Sequence, residues 1–252
     1  MIQTTKLERK IIQNLKQKKF RDRESLFVVE GVKMVQEVLD SDYMVRALYT
    51  LEEGLFSGLK MTKLITEREM SEISHLTTPS PALALVEMRK TDLFQELNTI
   101  DKSQLYLGLD AIRDPGNFGT IIRIADWFGV KAIFATPDSV DLYNSKVIQA
   151  SMGAIFRVPV FYVELTEIID KLNIPVWGAA LTGVSVYESP LSNNGIIIIG
   201  NEASGISEPV MKRIDQALLI PPYPHNAHSS ESLNAAIATA IICSEFRRRL
   251  YI

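Results

Sequence analysis

Apolar residues recur along this chain with two periods, one typical of strands and one typical of helices. In the N-terminal part, strand-like runs at Leu26–Glu30, Arg46–Thr50 and Pro81–Met88 alternate with helical patterns such as Val32–Leu39. Short alternating segments of this kind predict a small α/β domain. We expect this domain to occupy residues 1–95.

A polar stretch at Arg89–Ser103 interrupts the pattern, which then restarts and continues to the C-terminus. We therefore expect a second domain over residues 104–252. Its predicted strands are Leu105–Leu109, Ala132–Thr136, Val158–Val163, Val176–Leu181, Ile196–Ile199 and Ala217–Ile220, and its predicted helices are Asn117–Phe128, Ser145–Ile155, Glu164–Leu172, Glu208–Ile214 and a last helix from Ser232. Near-continuous apolar strands between helices predict an α/β fold with a mostly parallel sheet and helices on both faces.

Composition limits the class of protein. With 46% hydrophobic residues the chain can form a real core, its apolar runs are far shorter than the roughly 20 residues of a membrane span, and its charged N-terminus is unlike a signal peptide. The single cysteine, Cys243, excludes an intramolecular disulfide. Because its neighbours are apolar, we expect Cys243 to be a buried core residue rather than a nucleophile. These features favour a globular protein of the cytoplasm.

Charge is unevenly distributed, although the net formal charge is only −3. Residues 1–33 hold nine basic side chains against four acidic ones, namely Lys6, Arg9, Lys10, Lys16, Lys18, Lys19, Arg21, Arg23 and Lys33 against Glu8, Asp22, Glu24 and Glu30. This surplus indicates either an edge that contacts phosphates or a solvated helix with ordinary ion pairs one turn apart. The sequence leaves both interpretations open.

Ligands of open α/β sheets bind beyond the carboxyl ends of the strands, so the segments that follow apolar runs are candidate sites. In the first of these segments, a turn that starts at Asp114 precedes Asn117, which can cap the next helix. Capping alone would explain Asn117. Arg123 lies off the apolar face of that helix, so it is either a functional side chain or the surface partner of Asp126.

The second segment follows four isoleucines and reads G-N-E-A-S-G over residues 200–205. Gly200 and Gly205 permit close approach of the backbone to a ligand. The spacing imitates a phosphate-binding loop, but Ile206 stands where that motif needs lysine, which weakens a nucleotide-triphosphate function. Glu202 would bear a desolvation cost after this apolar strand unless a donor meets it, which makes it a candidate site residue.

The third segment leads into the last helix. Ser232 is its predicted N-cap. Leu233, Ile237 and Ile241 recur at helical spacing and are predicted core contacts. Asn234 falls on the next face of the helix and can point into a site.

Two histidines precede this helix. His225 and His228 have an H-x-x-H spacing, which can hold a metal ion when further ligands are close. No other Cys or His lies nearby in the sequence to complete such a set. We therefore expect no metal site.

Together, the three segments resemble, in order and spacing, the three motifs of the SpoU (TrmH) family of RNA ribose methyltransferases. The matching residues are Asn117, Gly119, Arg123 and Ala125 for the first motif, Gly200, Asn201, Glu202 and Gly205 for the second, and Ile220, Pro221, Ser232, Leu233 and Asn234 for the third. The match covers Leu105–Arg249, and three loops in the same order make it specific. The stretch Arg23–Leu39 also resembles the start of the substrate-binding domain of ribosomal RNA members.

This resemblance implies a SPOUT-class enzyme that transfers a methyl group from S-adenosylmethionine to a ribose 2′-hydroxyl of RNA, with large-subunit ribosomal RNA as the expected partner. It also implies a deep trefoil knot in the catalytic domain and a homodimer through that domain. General topology rules disfavour knots, so periodicity alone never predicts one. The cofactor would lie against five residues, largely through backbone hydrogen bonds and apolar contact, namely Leu181, Thr182, Gly200, Ile220 and Leu233.

The resemblance assigns catalytic roles to five side chains. Arg123 would contact the target phosphate or ribose. Because a guanidinium resists deprotonation, electrostatic positioning by Arg123 is favoured over a simple general-base role. Asn117 and Asn234 would orient groups around the reacting hydroxyl, and Ser232 would shape the same corner. Glu202 would hold Arg123 or a loop amide in place.

Two other functions compete with this one. A transfer RNA methyltransferase of the same family would share the motifs, but the additional N-terminal domain favours ribosomal RNA. A catalytically silent RNA-binding relative would not need all five side chains, and their joint presence argues against it. The sequence also departs from the family between Pro221 and Ser232, where the loop is longer than usual and lacks the usual glycine, so we expect a different cofactor loop there.

Overall fold

The computed structural model describes residues 4–56, 58–89, 100–224 and 232–251. These residues form two compact units. The first contains the described residues of Met1–Lys90 together with Asp141–Phe156, and the second contains those of Thr91–Val140 and Arg157–Ile252. The predicted boundary between residues 95 and 104 lies partly outside the described residues and stays a prediction.

The first unit is built on a four-stranded mixed sheet. Its strands are β1 (Leu26–Glu30), β2 (Val45–Thr50), β3 (Thr62–Leu64) and β4 (Ala82–Glu87), and the helices from this part of the chain are α1 (Lys6–Asn14), α2 (Lys18–Glu24), α3 (Val32–Leu39) and α4 (Glu67–Ile73). The strand order is β1-β4-β2-β3, with β4 antiparallel to both of its neighbours and β3 parallel to β2. The strands that the sequence predicts at Leu26–Glu30 and Pro81–Met88 correspond to β1, at one edge of this sheet, and to β4 beside it.

The core of the first unit joins this sheet to its helices. Tyr49 and Leu83 of the strands share a buried cluster with Ile12 of α1 and Met70 of α4. Burying one such side chain stabilises a fold by roughly 1.5–3 kcal/mol. Both short helices are therefore held on the sheet by tertiary packing rather than by their own helix propensity.

The second unit is built on a six-stranded sheet in which all neighbouring strands are parallel. Its strands are β5 (Leu105–Asp110), β6 (Ile133–Ala135), β7 (Val160–Tyr162), β8 (Val176–Ser185), β9 (Gly195–Gly200) and β10 (Gln216–Leu219), in the order β10-β8-β9-β5-β6-β7. The helices from this part of the chain are α5 (Pro115–Trp127), α6 (Ser145–Ser151), α7 (Leu165–Leu172), α8 (Glu208–Met211) and α9 (Ala235–Arg248), of which α6 packs in the first unit. The predicted α/β fold with a mostly parallel sheet is confirmed.

Both faces of this sheet are buried. On one face, Ile196 and Ile198 of β9 belong to a cluster with Ile168 of α7. On the other face, Trp177 of β8 meets Phe246 of α9 edge to face, with ring centroids 4.9 Å apart. The continuous isoleucine run of β9 is explained by burial on both faces, as parallel sheets require.

Two helices are shorter than their apolar pattern predicts. α6 ends at Ser151 because Met152 has a left-handed backbone with φ of +49°, and a short 3₁₀ turn follows. α8 ends at Met211 rather than Ile214. Within the described ranges, no helix has both the length and the apolar character that a membrane span requires.

Candidate active site

The candidate site forms where the order of strands reverses direction. From β5 the chain moves to β6 on one side, whereas β9 pairs with β5 on the other side, in a register that places Asp110 opposite Gly200. In an open α/β sheet, the carboxyl ends of the strands at such a switch point form the ligand crevice. The segments that follow β5 and β9 are the first two segments that the sequence singles out.

The helix after β5 begins earlier than predicted. Its N-cap is Asp114, whose carboxylate accepts a hydrogen bond of 2.7 Å from the backbone N–H of Asn117, and Pro115 occupies the first turn. The prediction that Asn117 caps this helix is wrong, because Asp114 already satisfies that role. The side chain of Asn117 is therefore free to point elsewhere.

Asn117 connects the second and third segments. Its Nδ2 donates to Glu202 Oε1 at 2.5 Å, and its Oδ1 accepts from Asn234 Nδ2 at 2.7 Å. Asn234 Oδ1 in turn accepts from the backbone N–H groups of Ala236 and Ile237 at 3.0 and 3.3 Å. The structure thus brings together three of the five predicted catalytic residues in one hydrogen-bonded chain, which we call the amide relay.

All hydrogen bonds of the amide relay run in the same direction from donor to acceptor. Donors lead from the N-terminal N–H groups of α9 through the two asparagine amides to the carboxylate of Glu202. A helix N-terminus is electropositive, so its field supports this order of donors and acceptors. The order also fixes the orientation of both amides, since an amide nitrogen only donates and its oxygen only accepts.

The N-cap of α9 differs from the prediction. Asn234 caps this helix through its side chain, and Ser232 lies exposed two residues before it. The prediction that Ser232 is the N-cap is wrong, because the helix begins at Ala235 and only Asn234 is placed to reach its first N–H groups. Asn234 consequently has two functions, capping α9 and holding Asn117.

Glu202 is exposed rather than buried. The expected desolvation cost after the isoleucine strand is therefore wrong, because the chain turns out of the sheet directly after Gly200. No hydrogen bond or ion pair joins Glu202 to Arg123 in the described part of the chain. The partner of Glu202 is the side-chain amide of Asn117.

Arg123 is exposed on α5 and is not part of the amide relay. Its alternative as the surface partner of Asp126 is wrong, because the Asp126 carboxylate accepts from the guanidinium of Arg157 at 3.0 and 2.9 Å. Among the described residues, none forms a hydrogen bond or ion pair with Arg123. Its full charge is thus available to an anionic ligand.

The loop after β9 is held by two residues that the sequence reasoning did not assign. Asn201 Oδ1 accepts from the N–H of Ala203 at 2.9 Å, and Asn201 Nδ2 donates to the carbonyl of Ala111 at 2.8 Å. Buried Asp110 accepts from the N–H of Ser207 at 2.7 Å. The sequence signals Asn201 only through its match to the second motif, beside Glu202, and the role of Asp110 needs the strand register.

Gly200 is required by the chain itself. A Cβ built on Gly200 would lie 2.3 Å from the carbonyl carbon of Gly205, and Gly205 has φ of +69°. The loop therefore folds back on the end of its own strand. The sequence predicts that the backbone at Gly200 and Gly205 can approach a ligand closely. The close approach that the structure shows is between these two parts of the chain itself.

The five predicted cofactor residues lie within β8, at or just beyond the ends of β9 and β10, and just before α9. Between Gly178 and Val184, β8 leaves its register with β10, and Gly183 turns against the carbonyl of Ala217 with φ of +146°. Leu181, within this excursion, is 67% exposed. Thr182 is exposed beside it, and Gly200 and Ile220 lie at the ends of β9 and β10.

Leu233 and Ile237 are not core residues. They are 45% and 53% exposed, whereas Ile242, Cys243 and Phe246 fill the buried face of α9. The prediction of core contacts is wrong for Leu233 and Ile237, because other positions of α9 form its buried face. Leu233 instead offers apolar surface beside the amide relay, next to Asn234 in the chain.

Other reactive side chains do not contribute to this site. Cys243 is buried, as predicted, and its burial raises the pKa of the thiol to about 12, so no thiolate forms there at neutral pH. His225 and His228 lie outside the described residues. Within the described residues, no group of three or more His, Cys, Asp and Glu side chains is close enough to bind a metal ion.

These features define a class of protein. It has an open parallel α/β domain with polar groups at the carboxyl ends of its strands, and a separate small α/β unit. Two known families match the chain, the SpoU rRNA Methylase family over residues 104–244 and the MRM3-like substrate binding domain over residues 8–84. The chain belongs to the SpoU rRNA Methylase family. This membership confirms the resemblance that the three motifs indicate.

Similar proteins cover almost the whole chain. It is 31% identical over 239 residues to the 23S rRNA (guanosine(2553)-2′-O)-methyltransferase RlmP of Bacillus subtilis (strain 168), with 91% of this chain and 92% of the relative covered. It is 28% identical over 255 residues to the 23S rRNA (uridine(2479)-2′-O)-methyltransferase of Streptomyces viridochromogenes, with 91% and 85% covered.

Solved structures show the same extent of similarity. A protein of the TrmH family from Porphyromonas gingivalis superposes with a TM-score of 0.86 at 36% identity, covering 98% of this chain and 99% of that one. An rRNA methyltransferase from Sinorhizobium meliloti with bound AdoMet superposes with a TM-score of 0.85 at 28% identity, covering 99% and 97%. The similarity therefore includes both units of the chain.

Proposed function

We propose that this protein uses S-adenosylmethionine to methylate a ribose 2′-hydroxyl in RNA, and that its substrate is large-subunit ribosomal RNA. The observation that carries the proposal is the amide relay of Glu202, Asn117 and Asn234 at the switch point of the sheet. Two relatives that are named 23S rRNA 2′-O-methyltransferases support the choice of reaction and RNA. The substrate-binding family match at residues 8–84 favours ribosomal over transfer RNA and supports an RNA-binding domain over residues 1–95 with a catalytic domain over residues 104–252.

The proposed cofactor site suits a ligand with a flat apolar ring and a polar chain. Exposed Leu181 and Leu233 supply apolar surface, and the backbone groups at Gly200 and Ile220 supply hydrogen bonds. Thr182 lies in the same excursion of β8 and adds a hydroxyl. The cofactor, when bound, supplies a methyl group on a positively charged sulfur.

The chain's own residues would position the ribose for attack on that methyl group. Asn117 and Asn234 would each donate their second amide N–H to the sugar, while Glu202 holds Asn117 in orientation. Arg123, which is unpaired among the described residues, would bind the phosphate of the target nucleotide. Ser232 would shape the same corner. Alignment of this kind can supply much of the acceleration, because the reaction needs little besides in-line approach and loss of one proton.

We propose further that the catalytic domain contains the trefoil knot of its family and forms a homodimer. Two observations support the dimer: Trp127 of α5 is 84% exposed and Ile237 of α9 is 53% exposed, on two helices that pack against each other. Exposed apolar surface of this kind is typical of an interface. We place the protein in the cytoplasm, because ribosomal RNA is found there in bacteria such as Bacillus subtilis, the source of one relative.

The test combines binding with transfer. The purified protein is titrated calorimetrically with S-adenosylmethionine and then mixed with labelled cofactor and unmodified transcripts of large-subunit ribosomal RNA or of transfer RNA. We expect saturable binding and label on the ribosomal transcript alone. Label on the transfer RNA alone would replace the proposed substrate, and a failure to bind the cofactor would favour a silent RNA-binding relative.

A further inference from the structure

The acidic side chains among residues 1–33 are all occupied by partners inside the protein. Glu8 accepts from Lys63 and from the hydroxyl of Tyr49 at 2.6 and 2.5 Å. Asp22 pairs with Lys18 at 2.8 Å, and Glu24 pairs with Arg23 at 2.7 Å. Glu30 is buried and accepts from Ser74 at 2.6 Å. Among the described residues, no carboxylate of this segment forms an ion pair with its other lysines, although Lys16 lies close enough to Glu30 to act on its charge.

Four lysines of α1, α2 and the turn that joins them keep their charge exposed, and so does Lys33 of α3. Lys6, Lys10, Lys16 and Lys19 are exposed, and none forms an ion pair with a residue that the structure describes. Lys6 and Lys10 lie one turn apart on the outer face of α1, whereas Arg9 on its inner face pairs with Glu69 and Glu72 of α4. On α1, the paired Arg9 thus faces α4 while Lys6 and Lys10 face outward. We call the four lysines the basic edge.

Arg21 links the two helices that carry the basic edge. Arg21, which is only 3% exposed, donates to the carbonyls of Leu15 and Lys16 at 2.7 and 2.9 Å and pairs with Asp141 at 2.5 Å. These carbonyls belong to the C-terminal end of α1, where unsatisfied carbonyls give a negative potential. The buried guanidinium neutralises that potential beside Lys16 and fixes the angle between α1 and α2.

Lys19 is itself held in place. Its ammonium group and the guanidinium of Arg23 each lie 4.9 Å from the centre of the Phe20 ring. Such contacts between a cation and an aromatic face are worth about 0.5–1 kcal/mol at exposed sites. A positioned cation loses less freedom when it binds an anion, so Lys19 is prepared for contact.

We propose that the basic edge binds the sugar–phosphate backbone of the RNA substrate. This inference rests on the proposed function and identifies the surface of the first unit that holds the RNA. Lysine is a point charge suited to phosphate oxygens, and phosphate contacts position a nucleic acid without reading its sequence. Lysine is depleted from the cores of protein interfaces, which makes an acidic protein a poorer fit to this edge.

The test is the salt dependence of RNA binding. Lys10, Lys16 and Lys19 are replaced together by glutamine, and the affinity for an unmodified large-subunit ribosomal RNA transcript is measured by filter binding between low and moderate salt. Each phosphate contact contributes about 0.7–0.9 to the slope of log affinity against log salt, so the slope should become shallower by about 2 to 3. The affinity in low salt should fall about tenfold or more. The KM for RNA should rise while kcat and cofactor affinity stay unchanged.

A matched control separates this local effect from a change in net charge. Replacing exposed Lys60, Lys131 and Lys212 by glutamine removes the same charge elsewhere and should leave the slope close to that of the parent. If both triple variants bind RNA alike, the basic edge is not the RNA surface. That result overturns this inference alone as long as the parent methylates the RNA, whereas a parent that neither binds nor methylates ribosomal RNA overturns the proposed function.

Discussion

At the scale of single residues, Asn117 is the centre of the site because its amide both donates and accepts. Its donor meets Glu202 and its acceptor meets Asn234, so one side chain joins the segments after β5, β9 and β10. An isosteric replacement that keeps the shape but removes the donor would break this arrangement. The importance of Asn117 therefore lies in its chemistry more than in its volume.

We predict that Asn117→Asp is as damaging as Asn117→Ala. The new carboxylate would face the carboxylate of Glu202 without a proton to share, and repulsion would turn both side chains away from the substrate. Methylation should fall by about 100-fold or more, because misplacement of about 1 Å costs on that order. Cofactor affinity by calorimetry should be retained. Asn173→Asp, an isosteric change at an exposed position of the same unit, should remain active, and an active Asn117→Asp would contradict the relay.

His75 gives a prediction for the first unit. Burial lowers the pKa of His75 to about 4, and its Nε2 lies 2.8 Å from the carbonyl oxygen of Ile12. Between pH 4 and an unfolded pKa near 6.5, the unfolded chain binds more protons than the folded one, so stability is lost as pH falls through this window. His75→Gln should remove on the order of 2–3 kcal/mol of that loss. Glu30, whose pKa is raised by burial, acts in the opposite sense but is present in both proteins.

The measurement for His75 is urea unfolding at pH 7 and at pH 5. The parent should lose more stability between these two values than the glutamine variant. Equal losses in both proteins would show that His75 titrates normally in the folded state. The comparison uses differences, so the hydrogen bond that the variant alters at every pH does not affect it.

At the scale of elements, the sequence predicts the strands of the second unit well and the helix ends less well. Buried strands such as β5 and β9 have continuous apolar runs that no surface element would carry. The sequence misplaces the starts of α5 and α9, because two capping residues compete within a few positions at each: Asp114 with Asn117, and Ser232 with Asn234. Only the tertiary contacts decide which one caps.

The sequence also does not predict which apolar positions of α9 are exposed. Ile237 lies at helical spacing from apolar neighbours, and this period predicts an apolar face without saying what covers it. The roles of Asp110 and Asn201 were beyond the sequence as well, since both depend on the pairing of β5 with β9. The convergence of Asn117, Glu202 and Asn234 was within reach, because carboxyl ends of parallel strands meet at one edge.

A substitution at Asp110 tests whether the loop after β9 must be anchored for activity. Asp110→Ala leaves the N–H of Ser207 without its partner beside a buried position, which should cost on the order of 1–3 kcal/mol and release the loop that carries Glu202. Cofactor affinity and kcat should both fall. Asp110→Asn keeps an acceptor oxygen and should recover most of the activity. An alanine variant with the parent's kcat would show that the anchor has no part in the reaction.

At the scale of the whole molecule, one helix belongs to a unit that its place in the chain does not indicate. α6 lies in sequence between β6 and β7 of the second unit, yet Asp141–Phe156 packs in the first unit. The ring of Tyr143 packs against the ring of Phe27, tilted by 34° and with the centroids 4.4 Å apart. The helical period of this segment predicts its secondary structure, but no local pattern names its packing partner.

The proposed homodimer is tested at Trp127. Because this side chain is 84% exposed in one chain, Trp127→Glu should fold normally but place a charge in the interface. Sedimentation should show a dimer for the parent and a monomer for the variant, with loss of methylation. Met44→Glu alters another exposed apolar residue, in the first unit, and should stay dimeric. A monomeric parent with full activity would contradict the dimer.

The most direct test of the account identifies the methylated atom. Unmodified large-subunit ribosomal RNA is incubated with the cofactor and the protein, digested to nucleosides and analysed by mass spectrometry, with Arg123→Ala as the inactive variant and Arg213→Ala as the control. Arg213 is half-buried and pairs with Asp170 rather than with any residue of the relay, so its loss should leave the reaction intact. We predict one 2′-O-methylated nucleoside with the parent and the control, and none with Arg123→Ala. A methyl group on a base, or an equal yield from Arg123→Ala, would contradict the account.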